Sequence, residues 1–132
     1  MCLALALSIA AMIPPGCATL FPGSKPEFQT EPEPWAGPEI ETTTNGEYNA
    51  VTVRAPTPGW VVTLDGDRPR LDYHEAFVTL REPNPAFVYP QVIAEHRLLT
   101  AIPADRDIRV YARRVGFNED GGGYHPVQTP QK

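Results

Sequence analysis

Short runs in which apolar and polar residues alternate dominate the chain from Tyr48 onward. Val51 and Val53 share one side of the first such run, and Thr52 between them points to the other side. Alternation with a period of two is typical of half-buried antiparallel strands. We therefore predict seven strands, near residues 40–44, 48–55, 60–65, 75–81, 91–99, 107–115 and 124–128.

The stretch around residues 91–99 also allows a helix. Val92, His96 and Leu99 recur at helical spacing. Pro90 and Pro103 flank this stretch, and alternating runs precede and follow it. Because proline disfavours helix interiors and the neighbouring runs are strand-like, we predict a strand here.

Turn-forming pairs separate several of the predicted strands: Asn45-Gly46, Pro58-Gly59, Asp65-Gly66 and Asn84-Pro85. About seven short strands within roughly 90 residues are typical of an immunoglobulin-like antiparallel β-sandwich. We predict this all-β domain over residues 40–128, with a disordered tail at 129–132. A domain of this size can build one core without disulfides.

Residues 18–39 differ from this domain in composition. The chain has 16 prolines, and five of them, together with several glutamates, fall between Pro22 and Pro38. Such a segment buries too little apolar surface to offset the entropy lost on ordering. We predict a disordered Pro/Glu-rich tether here, extended by its prolines.

The net charge of −5 also belongs to the N-terminal part of the chain. Up to Glu47 there are six acidic residues and one basic residue, whereas the remainder has ten of each. A neutral domain lacks the basic surface by which proteins bind nucleic acid or anionic lipid. We expect neither of these partners.

The first residues have the texture of a signal peptide. Leu3 to Ile13 form an uncharged apolar run, which is too short to span a membrane. No Lys or Arg precedes it, so we expect the natural chain to start upstream of Met1. The Gly16-Cys17-Ala18 sequence that follows resembles the lipobox of bacterial lipoproteins, although Pro14 and Pro15 depart from its usual pattern.

That resemblance implies a signal peptide over residues 1–17 and acylation of Cys17, which would anchor the protein by lipid in the bacterial cell envelope. Two alternatives remain. Cleavage after Ala18 would release a secreted or periplasmic protein. An uncleaved or non-functional leader would neither carry a lipid anchor nor release the protein. In each case Cys17 is a poor disulfide partner, because the second cysteine, Cys2, lies in the same leader.

The residues needed for catalysis or metal binding are sparse. The predicted domain has no serine or cysteine, and its three histidines lie in separate segments: His74, His96 and His125. We therefore expect no enzyme and no cofactor. Acidic loops at 65–67 and 118–121 offer oxygen atoms, but full EF-hand spacing is absent, so we expect no metal site.

Consecutive strand pairs would place three connections at one end of an immunoglobulin-like sandwich: residues 55–59, 81–90 and 116–125. Loops of this kind often form the binding surface, and aromatic residues with prolines can supply contact area at low entropic cost. We predict a binding surface made of Pro58, Trp60, Pro85, Phe87, Tyr89, Asp120 and Tyr124.

The segment APTPGW at 55–60 is similar to a loop of the chagasin family of cysteine-protease inhibitors. Pro56, Thr57, Gly59 and Trp60 match that loop, Ala55 and Pro58 depart from it, and the other inhibitory loops of the family have no counterpart here. Three functions follow as hypotheses. The leading one is a non-catalytic envelope module that binds a protein or peptide, and the alternatives are a spacer lipoprotein without a ligand and a protease inhibitor.

Overall fold

The computed structural model describes residues 28–128, and these residues form seven strands and no helix. The strands are β1 (Glu39–Asn45), β2 (Tyr48–Ala55), β3 (Val61–Pro69), β4 (His74–Arg81), β5 (Ala94–Pro103), β6 (Ile108–Val115) and β7 (His125–Pro126). Each predicted strand has a counterpart, and the predicted all-β class is confirmed.

The strands form two sheets that enclose one core. One sheet has the order β1-β2-β5, and the other has the order β3-β4-β6-β7. Their inner faces contribute buried side chains to a common cluster, among them Val51, Val53, Val78, Leu80 and Val110. Burial of each such side chain stabilises the fold by about 1.5–3 kcal/mol. This packing accounts for the inward-facing apolar residues of the alternating pattern, and β2 and β4 are buried on their outer faces as well.

One strand pair differs from the predicted antiparallel arrangement. β4 and β6 are parallel, with His74 opposite Ile108 and Arg81 opposite Val115. Between them the chain crosses to the other sheet and returns through β5, which pairs with β2. Two reversals bring β6 back in the direction of β4, so the expectation of entirely antiparallel sheets was wrong.

β5 also begins later than predicted. It runs from Ala94 to Pro103, whereas the alternation indicated residues 91–99. Val92 and Ile93 lie in the connection before the strand and are exposed. The helix alternative for this stretch is excluded by the antiparallel pairing of β5 with β2.

The predicted tether is ordered over residues 28–38, which we call the N-terminal strap. The amide of Glu31 donates to the carbonyl of Tyr124 at 2.8 Å, and the amide of Tyr124 donates to the carbonyl of Gln29 at 2.9 Å. The amide of Trp35 donates to the carbonyl of Pro126 at 2.9 Å. The strap thus pairs with the backbone beside β7, and the prediction of disorder was wrong for these residues. Residues 18–27 of the predicted tether, and the predicted tail at 129–132, lie outside the described residues.

Two aromatic side chains fix the strap to the sandwich. The Phe28 ring stacks on Phe77 with a centroid distance of 4.0 Å and an interplanar angle of 4°. A Cβ atom on Gly66 would lie 3.0 Å from the Phe28 ring, so glycine leaves room for this stack. Trp35 packs against the core cluster, and its indole N–H donates to the carbonyl of Pro38 at 2.9 Å. These contacts give the strap apolar burial that its Pro/Glu-rich composition does not indicate.

Replacement of Phe28 by alanine tests the docking of the strap. Because Phe28 is only partly buried, we expect Phe28→Ala to lower the free energy of unfolding by about 1–3 kcal/mol, somewhat less than for a core phenylalanine. Urea denaturation measures this change, and Pro32→Ala at an exposed strap position is the control. Equal stability of the Phe28→Ala protein and the wild type would contradict this account of the strap.

Candidate binding surface

Three connections emerge at one end of the sandwich, which we call the loop end. β2 finishes there at Ala55, opposite the start of β5 at Ala94. β4 finishes there at Arg81, opposite both the start of β3 at Val61 and the end of β6 at Val115. The β2–β3, β4–β5 and β6–β7 connections therefore lie together, as the predicted order of strands requires.

The first two connections are packed against each other. A Cβ atom on Gly59 would lie 2.7 Å from the Tyr89 ring and 2.8 Å from Cβ of Pro83. Such short distances leave no room for a side chain. Gly59 therefore lets the Tyr89 ring lie directly on the backbone of the β2–β3 connection.

The third connection is tied to the end of β4 by Arg81. The Nη1 atom of Arg81 donates to the carbonyl oxygens of Gly116, Phe117 and Glu119 at 3.2, 3.2 and 2.7 Å. Its Nη2 atom donates to the Asp120 carboxylate at 2.6 Å. Arginine can do this because its planar guanidinium carries five N–H donors, whereas lysine offers one compact charged group.

Arg114 also makes contacts that stabilise the loop end. Its guanidinium lies 5.1 Å from the centroid of the Trp60 ring, and its Nε atom donates to the Glu82 carboxylate. Trp60 itself is only 8% exposed and belongs to the core cluster. The prediction of Trp60 as a surface anchor was therefore wrong, because its ring fills the space between the sheets.

Tyr124 was also wrongly predicted as an exposed contact residue. It is buried, and its ring meets the edges of Phe28 and Phe77 with centroid distances of 5.7 and 5.1 Å. Its hydroxyl donates to the Asp65 carboxylate at 2.7 Å. Burial and this carboxylate raise the pKa of Tyr124 above its ordinary value. Tyr124 thus holds the N-terminal strap rather than facing a partner.

The other predicted residues are accessible to differing degrees. Pro58, Pro85 and Asp120 are exposed, Phe87 is 63% exposed, and Tyr89 is half-buried against Gly59. The predicted lipidation residue, Cys17, lies outside the described residues. The loop end therefore keeps five of the seven predicted contact residues at or near its surface.

Four apolar residues at the loop end had not been predicted. Val88 is 99% exposed, and Val92, Ile93 and Phe117 are also exposed. With Phe87 they form what we call the apolar tip. The sequence carries a signal for most of them, because FVYPQVI lacks alternation and is interrupted by Pro90, so one sheet face cannot bury all its apolar residues.

The apolar tip is ordered locally before any partner binds. The Asn84 side-chain Oδ1 accepts the amide of Ala86 at 2.9 Å, and the Asn84 carbonyl accepts the amide of Phe87 at 3.1 Å. Pro83, Pro85 and Pro90 restrict the backbone on both sides. A short Asn-capped turn thus presents Phe87 and Val88 to solvent.

Other chemistry is limited in the part of the chain that the structure describes. Within residues 28–128, no three or more His, Cys, Asp or Glu side chains form a group that could hold a metal ion, and no helix is long and apolar enough to cross a membrane. A shallow cavity of about 470 Å³ lies between the strap and the β6–β7 connection, lined by residues that include Phe28, Asp65 and Arg113. Comparison with protein-family models, curated proteins and solved structures gives no match to this chain.

Replacement of Gly59 by alanine tests whether Tyr89 holds the apolar tip. The added methyl group would clash with the Tyr89 ring, so we expect the ring to leave and stability to fall by about 1–3 kcal/mol. Amide hydrogen exchange should become faster over residues 85–93 while the β4 and β6 amides stay protected. Pro58→Ala, an adjacent exposed change, is the control. Unchanged exchange over residues 85–93 would show that Tyr89 does not organise the tip.

Proposed function

We propose that this chain is a small, non-catalytic module of the bacterial cell envelope that binds a protein or peptide through its loop end. The observation that carries this proposal is the exposure of the apolar tip. Phe87, Val88 and Ile93 lie together in one connection and are all more than half exposed. Grouped exposed apolar residues of this kind mark interaction sites, whereas single exposed apolar residues need no explanation.

The construction of the tip supports binding rather than passive exposure. A partner would gain the burial of Phe87 and its neighbours, about 1.5–3 kcal/mol for each large side chain that becomes fully buried. The Asn84 turn, the flanking prolines and the Tyr89–Gly59 contact already hold the loop. Less conformational entropy is therefore lost when a partner binds.

The charges around the tip favour an apolar contact over an electrostatic one. Arg81 is paired with Asp120, and Arg114 is paired with Glu82. Each pair brings opposite charges together at the loop end. We therefore propose a partner that presents apolar side chains rather than a strongly charged surface.

Membrane attachment through Cys17 remains part of the proposal. It is supported by the lipobox-like residues 16–18 and by the apolar run before them. The strap begins at Phe28, so the eleven residues from 18 to 28 determine how far the sandwich can lie from an anchored Cys17. At about 3.5 Å per residue this reach is roughly 40 Å at most.

The immunoglobulin-like type of sandwich and the inhibitor hypothesis each agree with the structure only in part. The number of strands and their division into two sheets support an immunoglobulin-like sandwich, and the parallel β4–β6 pair departs from it. The chagasin-like segment at 55–60 has Gly59 covered by Tyr89 and Trp60 within the core. Its central residues are therefore poorly placed to enter a protease cleft.

Affinity capture from the native envelope, with the intact tethered protein, tests the proposed binding role. We expect the double variant Phe87→Ala/Val88→Ala to reduce capture of the partner at least about tenfold, since truncation of a few central apolar side chains commonly costs 1.4 kcal/mol or more. Both side chains are exposed, so the thermal stability of the sandwich should change little.

Leu71→Ala is the matched control for this experiment. Leu71 is 92% exposed and lies in the β3–β4 turn at the opposite end of the sandwich. Its replacement removes an equally exposed apolar side chain and should leave capture unchanged. If the double variant captures as much as the wild type does, the binding role fails and the spacer hypothesis takes its place.

A further inference from the structure

β5 is one of the two edge strands of the β1-β2-β5 sheet, and its outer edge has no strand partner within residues 28–128. The other sheet protects its edges. β3 is interrupted by a bulge between Leu64 and Gly66 and ends at Pro69, and the side of β7 is covered by the strap through the Thr30–Tyr124 bridge. β5 pairs with β2 in unbroken register from Ala94 to Leu99, and an irregularity separates this stretch from the pair at Pro103. An open edge of this length is a template for pairing with another strand.

The outward side chains of β5, together with Ile93 immediately before the strand, form a self-complementary series. Ile93, Glu95, Arg97 and Leu99 are all exposed and alternate with residues that face the core. Read from either end, this series is apolar, charged, charged and apolar, with opposite charges at its centre. Two such strands laid side by side in opposite directions would therefore match.

We propose that two copies of this chain associate through antiparallel pairing of their β5 strands about a two-fold axis at His96. In this register Glu95 of each copy lies opposite Arg97 of the other, and Ile93 lies opposite Leu99. Directly opposite residues in antiparallel strands have side chains close enough for ion pairs and apolar contacts. The β1-β2-β5 sheet then continues across the axis into a sheet of six strands.

The symmetry of the pairing accounts for both the charges and the exposed apolar residues. A two-fold axis makes every contact occur twice, so two Glu–Arg pairs and two Ile–Leu pairs form at once. Ile93 and Leu99 are more than half exposed in the single chain and would become covered. A shift of the register by two residues would instead bring the charged residues opposite apolar ones or like charges, so the series selects one register.

The existing contacts of the two charged residues leave them free to pair in this way. The Nη2 atom of Arg97 donates to the carbonyl of Thr44 at 3.3 Å, and Glu95 lies 3.9 Å from Nε of Arg54. Both contacts are long and at the surface, and such contacts contribute little to stability. Arg54 also has Glu39 and Glu41 nearby, so it keeps acidic neighbours when Glu95 turns to the second copy.

This association goes beyond the proposed binding function and uses a surface centred on β5, which shares only Ile93 with the apolar tip. The antiparallel arrangement points the two loop ends in opposite directions and leaves Phe87 and Val88 of each copy open. Failure of one proposal therefore does not imply failure of the other. The Phe87→Ala/Val88→Ala variant should form the same dimer as the wild type.

Sedimentation equilibrium of the full chain in density-matched detergent tests the dimer, over concentrations up to about 100 μM to cover a Kd in the micromolar range. We expect the wild type to dimerise reversibly. Arg97→Glu would place like charges opposite each other twice and should raise Kd at least about tenfold. The charge swap Glu95→Arg/Arg97→Glu restores both opposite-charge pairs and should return Kd towards the wild-type value.

Two further variants separate the β5 edge from general effects of charge or folding. Arg106→Glu makes the same charge change at an exposed position outside β5 and should leave Kd unchanged. Leu99→Lys places a charge on the edge and removes the apolar pair, so it should weaken the dimer without lowering the melting temperature.

Several results would overturn the proposal. A wild-type protein that stays monomeric at every concentration would show that β5 is not an interface between copies. A dimer that Arg97→Glu leaves intact, or that the charge swap fails to restore, would exclude this register. Amide hydrogen exchange provides a local check, because dimerisation should slow exchange in residues 94–99 and leave β1 unaffected.

Discussion

The contact between the Tyr89 ring and the Gly59 backbone determines what this molecule presents at its loop end. The β2–β3 and β4–β5 connections both cross from one sheet to the other there, and this contact packs one connection on the other. With Tyr89 held inward, Phe87 and Val88 on the same turn project to solvent. Pro83, which also touches Gly59, limits how far the loop could relax. The apolar tip is thus a consequence of packing beneath it rather than of a loose loop.

The sandwich under this end also depends on residues outside its seven strands. The N-terminal strap adds backbone hydrogen bonds beside the two-residue strand β7, which alone would leave a short and poorly protected edge. Phe28 and Tyr124 pack together over Phe77 on the outer face of the β3-β4-β6-β7 sheet. On the other sheet, β5 has no comparable cover within residues 28–128. The edge at β7 is therefore covered by the strap, whereas the edge at β5 is open. This difference indicates where a second chain could pair.

Much of the fold could be predicted because alternation directly reflects burial on one face, as in β3. Alternation does not name a strand's neighbour, so the parallel pairing of β4 with β6 was missed. Trp60 alternates in phase with Val62 and Leu64, which pack against the core. This spacing predicts that the Trp60 ring also points inward. It was a stronger signal than the position of Trp60 beside a turn, which had suggested an exposed ring. The strap was missed because Phe28 and Trp35 are too few to alter the average composition of a Pro/Glu-rich segment.

Site-specific photo-crosslinking in the native envelope tests most directly whether the loop end meets a partner. A benzoylphenylalanine placed at Val88 should yield a discrete crosslinked product, whereas the same group at Leu71, which is about equally exposed at the opposite end, should not. Preincubation with an excess of the unlabelled wild-type protein should reduce the Val88 product, since both compete for one partner. Identical product patterns from the two positions, or no product from Val88, would contradict a binding role for the loop end.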